Sequence, residues 1–198
     1  NYKFIRLMIK IGILGDIGAG KSFVAKQFGY PVFNADNEVR KIYRKDKKCF
    51  IKLNKAIPKH ILSFPIKKKE IAKAILSNKK NLKKIINIVH PLVRLKMNKF
   101  VKKKKNRKII IFDIPLLLEN KLNRKDYILV YVEANKIKII KNLIKRKNYN
   151  SKIMKILKKS QLSLNYKKKK SKFIINNNFT KQSAKKNVSL IKKKILKK

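Results

Sequence analysis

The chain has 198 residues, is 44% hydrophobic, and carries 57 Lys+Arg against 9 Asp+Glu for a net charge of +48. That length supports one ordinary domain with room for a small insertion, and the apolar fraction is enough for a proper core, so the low aromatic content alone does not argue for disorder. Cys49 is the only cysteine, so an intrachain disulfide is excluded; two histidines cannot build a histidine-rich metal site, and no apolar run reaches the ~18 residues of a membrane span. Met8 to Leu14 reads as a buried strand, followed by a glycine loop and a helix from Ser22 to Phe28 that Gly29 closes. Residues 1–7 read as an extension, with Met8 a candidate natural start. Basic residues precede the apolar run, but no small-residue cleavage site follows, so the opening reads as strand rather than leader and the protein as cytoplasmic.

"YPVFNAD" is a short strand ending near Asp36, and a helix follows to about Arg44. Residues 47–76 look helical in pieces, broken at Pro58 and Pro65. A long amphipathic pattern covers Asn81 to Lys104, bent or interrupted at Pro91. "KIIIFD" (108–113) and "YILVYV" (127–132) are apolar without alternation, as strands covered on both faces should be. Residues 136–147 and 151–160 read as helices, 172–177 as a last short strand, and 180–196 as a closing basic helix. Strands separated by helical stretches specify an α/β fold with a parallel sheet and right-handed crossovers.

The charge alone would suggest nucleic acid or an anionic membrane. Lys, Ile and Asn, however, make up about half of the chain and run end to end rather than in one patch. Arginine supplies only seven of the 57 basic residues, whereas base readout and bidentate phosphate contacts favour it. The lysine excess therefore reads as a solvated surface, and neither a nucleic-acid nor a membrane partner is expected.

"GDIGAGKS" fits G-x-x-x-x-G-K-[ST], with Gly15, Gly20, Lys21 and Ser22 in register. Glycines let successive backbone N–H groups turn inward around phosphate oxygens, and the following helix N-terminus adds positive potential. In such a loop the lysine reaches the β- and γ-phosphates and the serine hydroxyl ligates Mg²⁺. All five glycines lie between Gly12 and Gly29, so a composition that excludes glycine elsewhere concentrates it where the backbone must wrap a polyphosphate. Lys21 is thus marked by its neighbours.

The nine acids are scarce enough for their placement to inform. Asp36 and Asp113 fall at the ends of predicted strands, where open α/β sheets bind ligands, and an Asp there can accept a proton or hold Mg²⁺. The structural alternatives are a helix N-cap for Asp36 and a turn carboxylate before Pro115 for Asp113. Glu119 either lines a substrate cleft or offsets local lysine charge, and Asp126 and Glu133 flank a strand as structural groups.

The order of "GILGDIGAGKSFVAKQFG", "VFNAD", "IVHPLVR", "FDIPLLLEN" and "KSQ…KFIINN" closely resembles the dephospho-CoA kinase family, over nearly the whole chain from Met8. The resemblance implies a P-loop NTPase three-layer α/β fold with a five-stranded parallel sheet. It implies one domain over residues 8–198, with a helical coenzyme A-binding insertion at about 40–105 and a lid at about 143–170. It also implies ATP and Mg²⁺ as cofactors and phosphorylation of the 3′-hydroxyl of the dephospho-CoA ribose by a monomer. Carried over, Gly15, Gly18, Ala19, Gly20, Lys21, Ser22 and Phe23 hold ATP, with Ser22 and Asp113 at the metal. Asp36 would be the general base, and Arg146 a lid cation steadying the transferring phosphoryl group, or else one more solvated helix cation. His90, Pro91, Pro115, Leu116 and Glu119 match the acceptor side, though His90 could equally be a satisfied helix residue; Gln161 and Lys167 match lid positions more weakly.

Several positions depart from the family pattern. Asn34 stands where the first acid of Asp-Ala-Asp is usual, Leu14 where threonine is common, and Asp16 at a loop glycine. Phe23 follows Ser22 in place of threonine, Asn142 takes a lid arginine position, and Ser171-Lys172 replace Ala-Asp. The competing expectations are another small-molecule kinase, such as shikimate kinase, and a basic nucleic-acid-binding protein. The former relies on a later glycine run that is missing after Gly29, and the latter on aromatics interleaved with basic residues.

Overall fold

The computed structural model describes residues 8–123, 125–146 and 149–197. The elements follow the chain as β1 (Ile9–Gly15), α1 (Lys21–Gln27), β2 (Val32–Asn34), α2 (Ala35–Lys45), α3 (Lys47–Ala56), α4 (Lys68–Ser77), α5 (Lys80–Lys103), β3 (Ile109–Asp113), β4 (Tyr127–Glu133), α6 (Lys136–Ile144), α7 (Ser151–Lys159), α8 (Leu164–Lys170), β5 (Phe173–Asn176) and α9 (Lys181–Leu196). The chain divides into two compact units: one built from residues up to Asn34, 101–149 and 161 onward, the other from 35–100 and 150–160.

The first unit is organised by a five-stranded sheet in the order β2-β3-β1-β4-β5, every pairing parallel. β1 is central, with β3 on one side and β4 on the other, so chain direction across the sheet reverses at its carboxyl end. Ligands in open α/β sheets bind at such a point. β3 is buried at every residue, β1 from Ile11 to Gly15 and β4 from Leu129 to Val132. This accounts for their unbroken apolar runs. α1 and α9 pack together on this unit, α9 burying Ala184, Val188, Ile191 and Ile195.

The second unit is helical. α5 runs unbroken through Pro91, so the helix is not interrupted there. Its buried residues Ile85, Val89, Val93 and Met97 recur every four positions on both sides of an exposed Pro91. That continuous apolar stripe outweighs the few kcal/mol a proline costs inside a helix. Asp46 caps α3 by accepting the Cys49 amide at 2.9 Å. Burial, with Asp46 adding to it, pushes the Cys49 thiol up to about 11.

Three further expectations need correction. The second strand stops at Asn34, so Asp36 already sits in the first turn of α2 and is not its N-cap. The helix expected over 136–147 ends at Ile144, and Lys147 lies outside the described residues. α8 forms between α7 and the last strand, where no helix is expected. The expected extension over residues 1–7 lies outside the described residues. Among the described residues no helix is long and apolar enough to cross a membrane.

Candidate active site

The loop leaving β1 is shaped by glycines: Gly18 and Gly20 hold φ of 86° and 84°, a region open to glycine and costly for other residues. Gly20 is the N-cap of α1 and offers no side-chain cap, which leaves the first amides of the helix to a ligand. Lys21 is buried, and its Nζ donates to the carbonyls of Asp16 at 2.7 Å and Gly15 at 3.3 Å. The loop therefore curls around its own ammonium. Asp16, the acid standing at a loop-glycine position, accepts the Ile17 amide on its carboxylate at 2.6 Å. Ala19 is buried, Phe23 half-buried, and Ser22 exposed on the first turn of α1.

Beside the loop, parallel register places Asn34 at the end of β2 directly opposite Asp113 at the end of β3. Asp113 is 2% exposed and belongs to the strand, which replaces the reading of a turn carboxylate. The Asn34 side-chain amide donates to Asp113 Oδ2 and lies 3.5 Å from Ser22 Oγ. One amide thus connects the hydroxyl of the loop to the buried carboxylate. The donors gathered here are hard oxygens suited to Mg²⁺. Among the described residues no group of three or more His, Cys, Asp or Glu could hold a metal by itself. That donor set suits a cation held by one or two side chains together with nucleotide phosphates.

Asn177 belongs to the site and escaped the sequence reading. It is 4% exposed; its Nδ2 donates to the Ala19 carbonyl at 2.9 Å and its Oδ1 accepts the Phe179 amide at 3.0 Å. A Cβ on Gly20 would lie 2.3 Å from that same nitrogen, so glycine there lets the asparagine clamp the loop. Its signal, an asparagine at the carboxyl end of the last strand, is hidden by the run Asn176-Asn177-Asn178.

Glu119 is held in a buried ion pair: Oε1 lies 2.6 Å from Lys167 Nζ, with side-chain exposures of 8% and 1%. The same oxygen accepts the Leu162 amide at 3.0 Å, while Oε2 is buried with no hydrogen-bond partner. Pro115 and Leu116 are half-buried in the same connection. Arg146 is exposed just past the end of α6, its amide donating to Leu143. Gln161 is half-buried ahead of α8. Asp126 and Glu133 pair with Lys10 and Lys168 at 2.6 and 2.7 Å. In the helical unit, Asp36 is exposed on α2, His90 is half-buried on α5, and Pro91 beside it is exposed.

The dephospho-CoA kinase family model matches residues 9–183. A dephospho-CoA kinase of Wolbachia pipientis wMel is 33% identical over 177 residues, covering 87% of this chain and 90% of its own. A Thermus thermophilus crystal structure superposes with a TM-score of 0.76 at 22% identity, covering 96% of this chain and 97% of that one. The dephospho-CoA kinase of Campylobacter jejuni gives a TM-score of 0.63 at 21% identity, over 96% and 98% of the two chains.

Proposed function

The chain belongs to the dephospho-CoA kinase family, and on that footing we propose that it moves the γ-phosphoryl group of ATP to the 3′-hydroxyl of the dephospho-CoA ribose. The loop amides of residues 18–23 and the Lys21 ammonium hold the phosphate tail. Ser22 and Asp113 are the residues that would hold Mg²⁺, which would supply neutralisation of phosphate charge. Asn34 keeps the serine hydroxyl and the carboxylate in register with one another.

Asp36 takes the proton of the acceptor hydroxyl as it attacks. Arg146 steadies charge on the phosphoryl group in transit. His90, Pro91, Pro115, Leu116 and Glu119 shape the acceptor side. Little covalent work is asked of the protein beyond alignment and neutralising charge.

The observation that carries this reading is the Ser22–Asn34–Asp113 connection beside a lysine buried within its own phosphate loop. The test is ADP release by purified protein with ATP and Mg²⁺, with and without dephospho-CoA, the product being mapped by ³¹P NMR. Acceptor-dependent release with a new 3′-phosphomonoester is expected. Release that ignores the acceptor, or none at all, would overturn the assignment.

A further inference from the structure

α2 buries Ala35 and Ile42 and leaves Asp36, Arg40 and Arg44 exposed on one face. At a rise of 1.5 Å per residue, Arg40 stands ~6 Å and Arg44 ~12 Å along the axis from Asp36. The choice of side chain is informative, because this chain uses lysine for almost every cation and only seven arginines. A lysine would serve for solvation, whereas a planar guanidinium offers paired donors that match phosphate oxygens.

The surroundings are cationic. A shallow, open depression of about 400 Å³ is lined by Asn37, Arg40, Lys41, Arg44 and Lys45. An adjoining one of about 620 Å³ shares Lys41 and Lys45 and adds Lys47, Lys48 and Lys96. The carboxylates along this surface are partly engaged: Glu38 pairs with Lys41 at 2.7 Å, and Asp46 caps α3. The Arg40 guanidinium donates to Asn37 Oδ1, which draws it back toward the first turn of the helix.

We propose that this face of α2 is the subsite for the acceptor's diphosphate, with Arg40 and Arg44 as its principal ligands. The inference rests on the reading that Asp36 acts on the ribose 3′-hydroxyl. In a nucleoside 5′-diphosphate the 3′-oxygen and the first phosphorus are separated by a distance on the order of one helical turn, comparable with the ~6 Å rise from Asp36 to Arg40. The second phosphate then falls toward Arg44, and the flanking lysines add long-range attraction.

The test compares the wild-type chain with Arg40→Lys, Arg40→Ala, and Arg40→Ala/Arg44→Ala. A Lys185→Ala/Lys186→Ala variant, on exposed positions of α9, removes the same two charges elsewhere. Calorimetric titration with dephospho-CoA and with adenosine is run beside steady-state kinetics. The double arginine variant should lose at least about thirtyfold in dephospho-CoA affinity, with a matching rise in KM. Adenosine binding and the KM for ATP should stay within about twofold, Arg40→Lys should be intermediate, and the α9 variant should resemble wild type. Unchanged dephospho-CoA affinity in the double variant, or equal losses for adenosine, would overturn the subsite. Wild-type protein that turns over dephospho-CoA while the arginine variants bind it normally would defeat the subsite alone. Wild-type protein that neither binds nor phosphorylates dephospho-CoA would defeat the parent reading and the subsite together.

Discussion

Two residues test the proposed chemistry directly. Lys21 is the cation the loop encloses, and Asp36 is the carboxylate we propose as the base on the acceptor. Typical charge-stabilising and general-base contributions are each about a hundredfold or more. Turnover of Lys21→Ala and of Asp36→Ala should therefore fall by at least about a hundredfold, measured by coupled ADP release with circular dichroism confirming the fold. Near-normal turnover in Asp36→Ala would remove it from the base role. The Glu119–Lys167 pair makes a different kind of claim, because both partners are almost wholly buried. Removing one leaves an uncompensated charge, which costs about 3–5 kcal/mol. Lys167→Ala should lower stability to urea by that amount, whereas Lys167→Met with Glu119→Gln, which removes both charges, should lose much less. Equal losses in the two variants would mean that packing, not charge, decides the site. Only the weak match to a lid position singles out Lys167 in the sequence: it sits within Lys167–Lys170, and a lysine run reads as solvated surface whichever member turns inward.

Elements were legible where their pattern was local. β1, β3 and β4 declare themselves by apolar runs, and the phosphate loop by glycines confined to the first 29 residues. α8 was not legible, because its seven residues, Leu-Asn-Tyr and four lysines, have no helical stripe; its anchor is the distant Glu119. The tie from Asn177 to Ala19 spans 158 positions, and the junction of Asn34 with Asp113 spans 79. Such pairings exist only once the sheet has formed. The loop and α6 meet in the same way. Gly18 has φ 86°, and a Cβ there would lie 2.8 Å from Leu143 Cγ and 3.0 Å from Ile139 Cγ2, both buried on α6. Gly18→Ala is thus opposed both by its backbone and by the packing of a neighbouring helix. It should lower the melting temperature and raise the KM for ATP about tenfold or more, an estimate of the ~1–3 kcal/mol that such strain costs. Unchanged ATP kinetics with a lowered melting temperature would confine the effect to packing and detach α6 from the shape of the loop.

At the scale of the whole molecule, a charge of +48 on 23.3 kDa is an energetic burden as well as an attraction. Few acids are present to offset it, and the surface pairs they make, such as Lys10–Asp126 and Lys168–Glu133, are each worth only ~0–1 kcal/mol. Like charges repel over the Debye length, which is ~30 Å at 0.01 M salt and ~10 Å at 0.1 M. The folded chain concentrates those charges more than the unfolded chain does, so screening favours folding. Raising NaCl from 0.01 to 0.3 M should raise the melting temperature by about 5 °C, since ~1 kcal/mol moves a chain of this size by ~2–4 °C. The same screening weakens attraction for anionic substrates, so the KM values for ATP and dephospho-CoA should rise over that interval. The two quantities therefore move in opposite functional directions with one variable: the protein grows more stable as it captures its substrates less well. A melting temperature that is flat or falls with salt would show that the lysines are too far apart to strain the fold. A KM that ignores salt would show that substrate capture depends only on contacts at the loop and on α2.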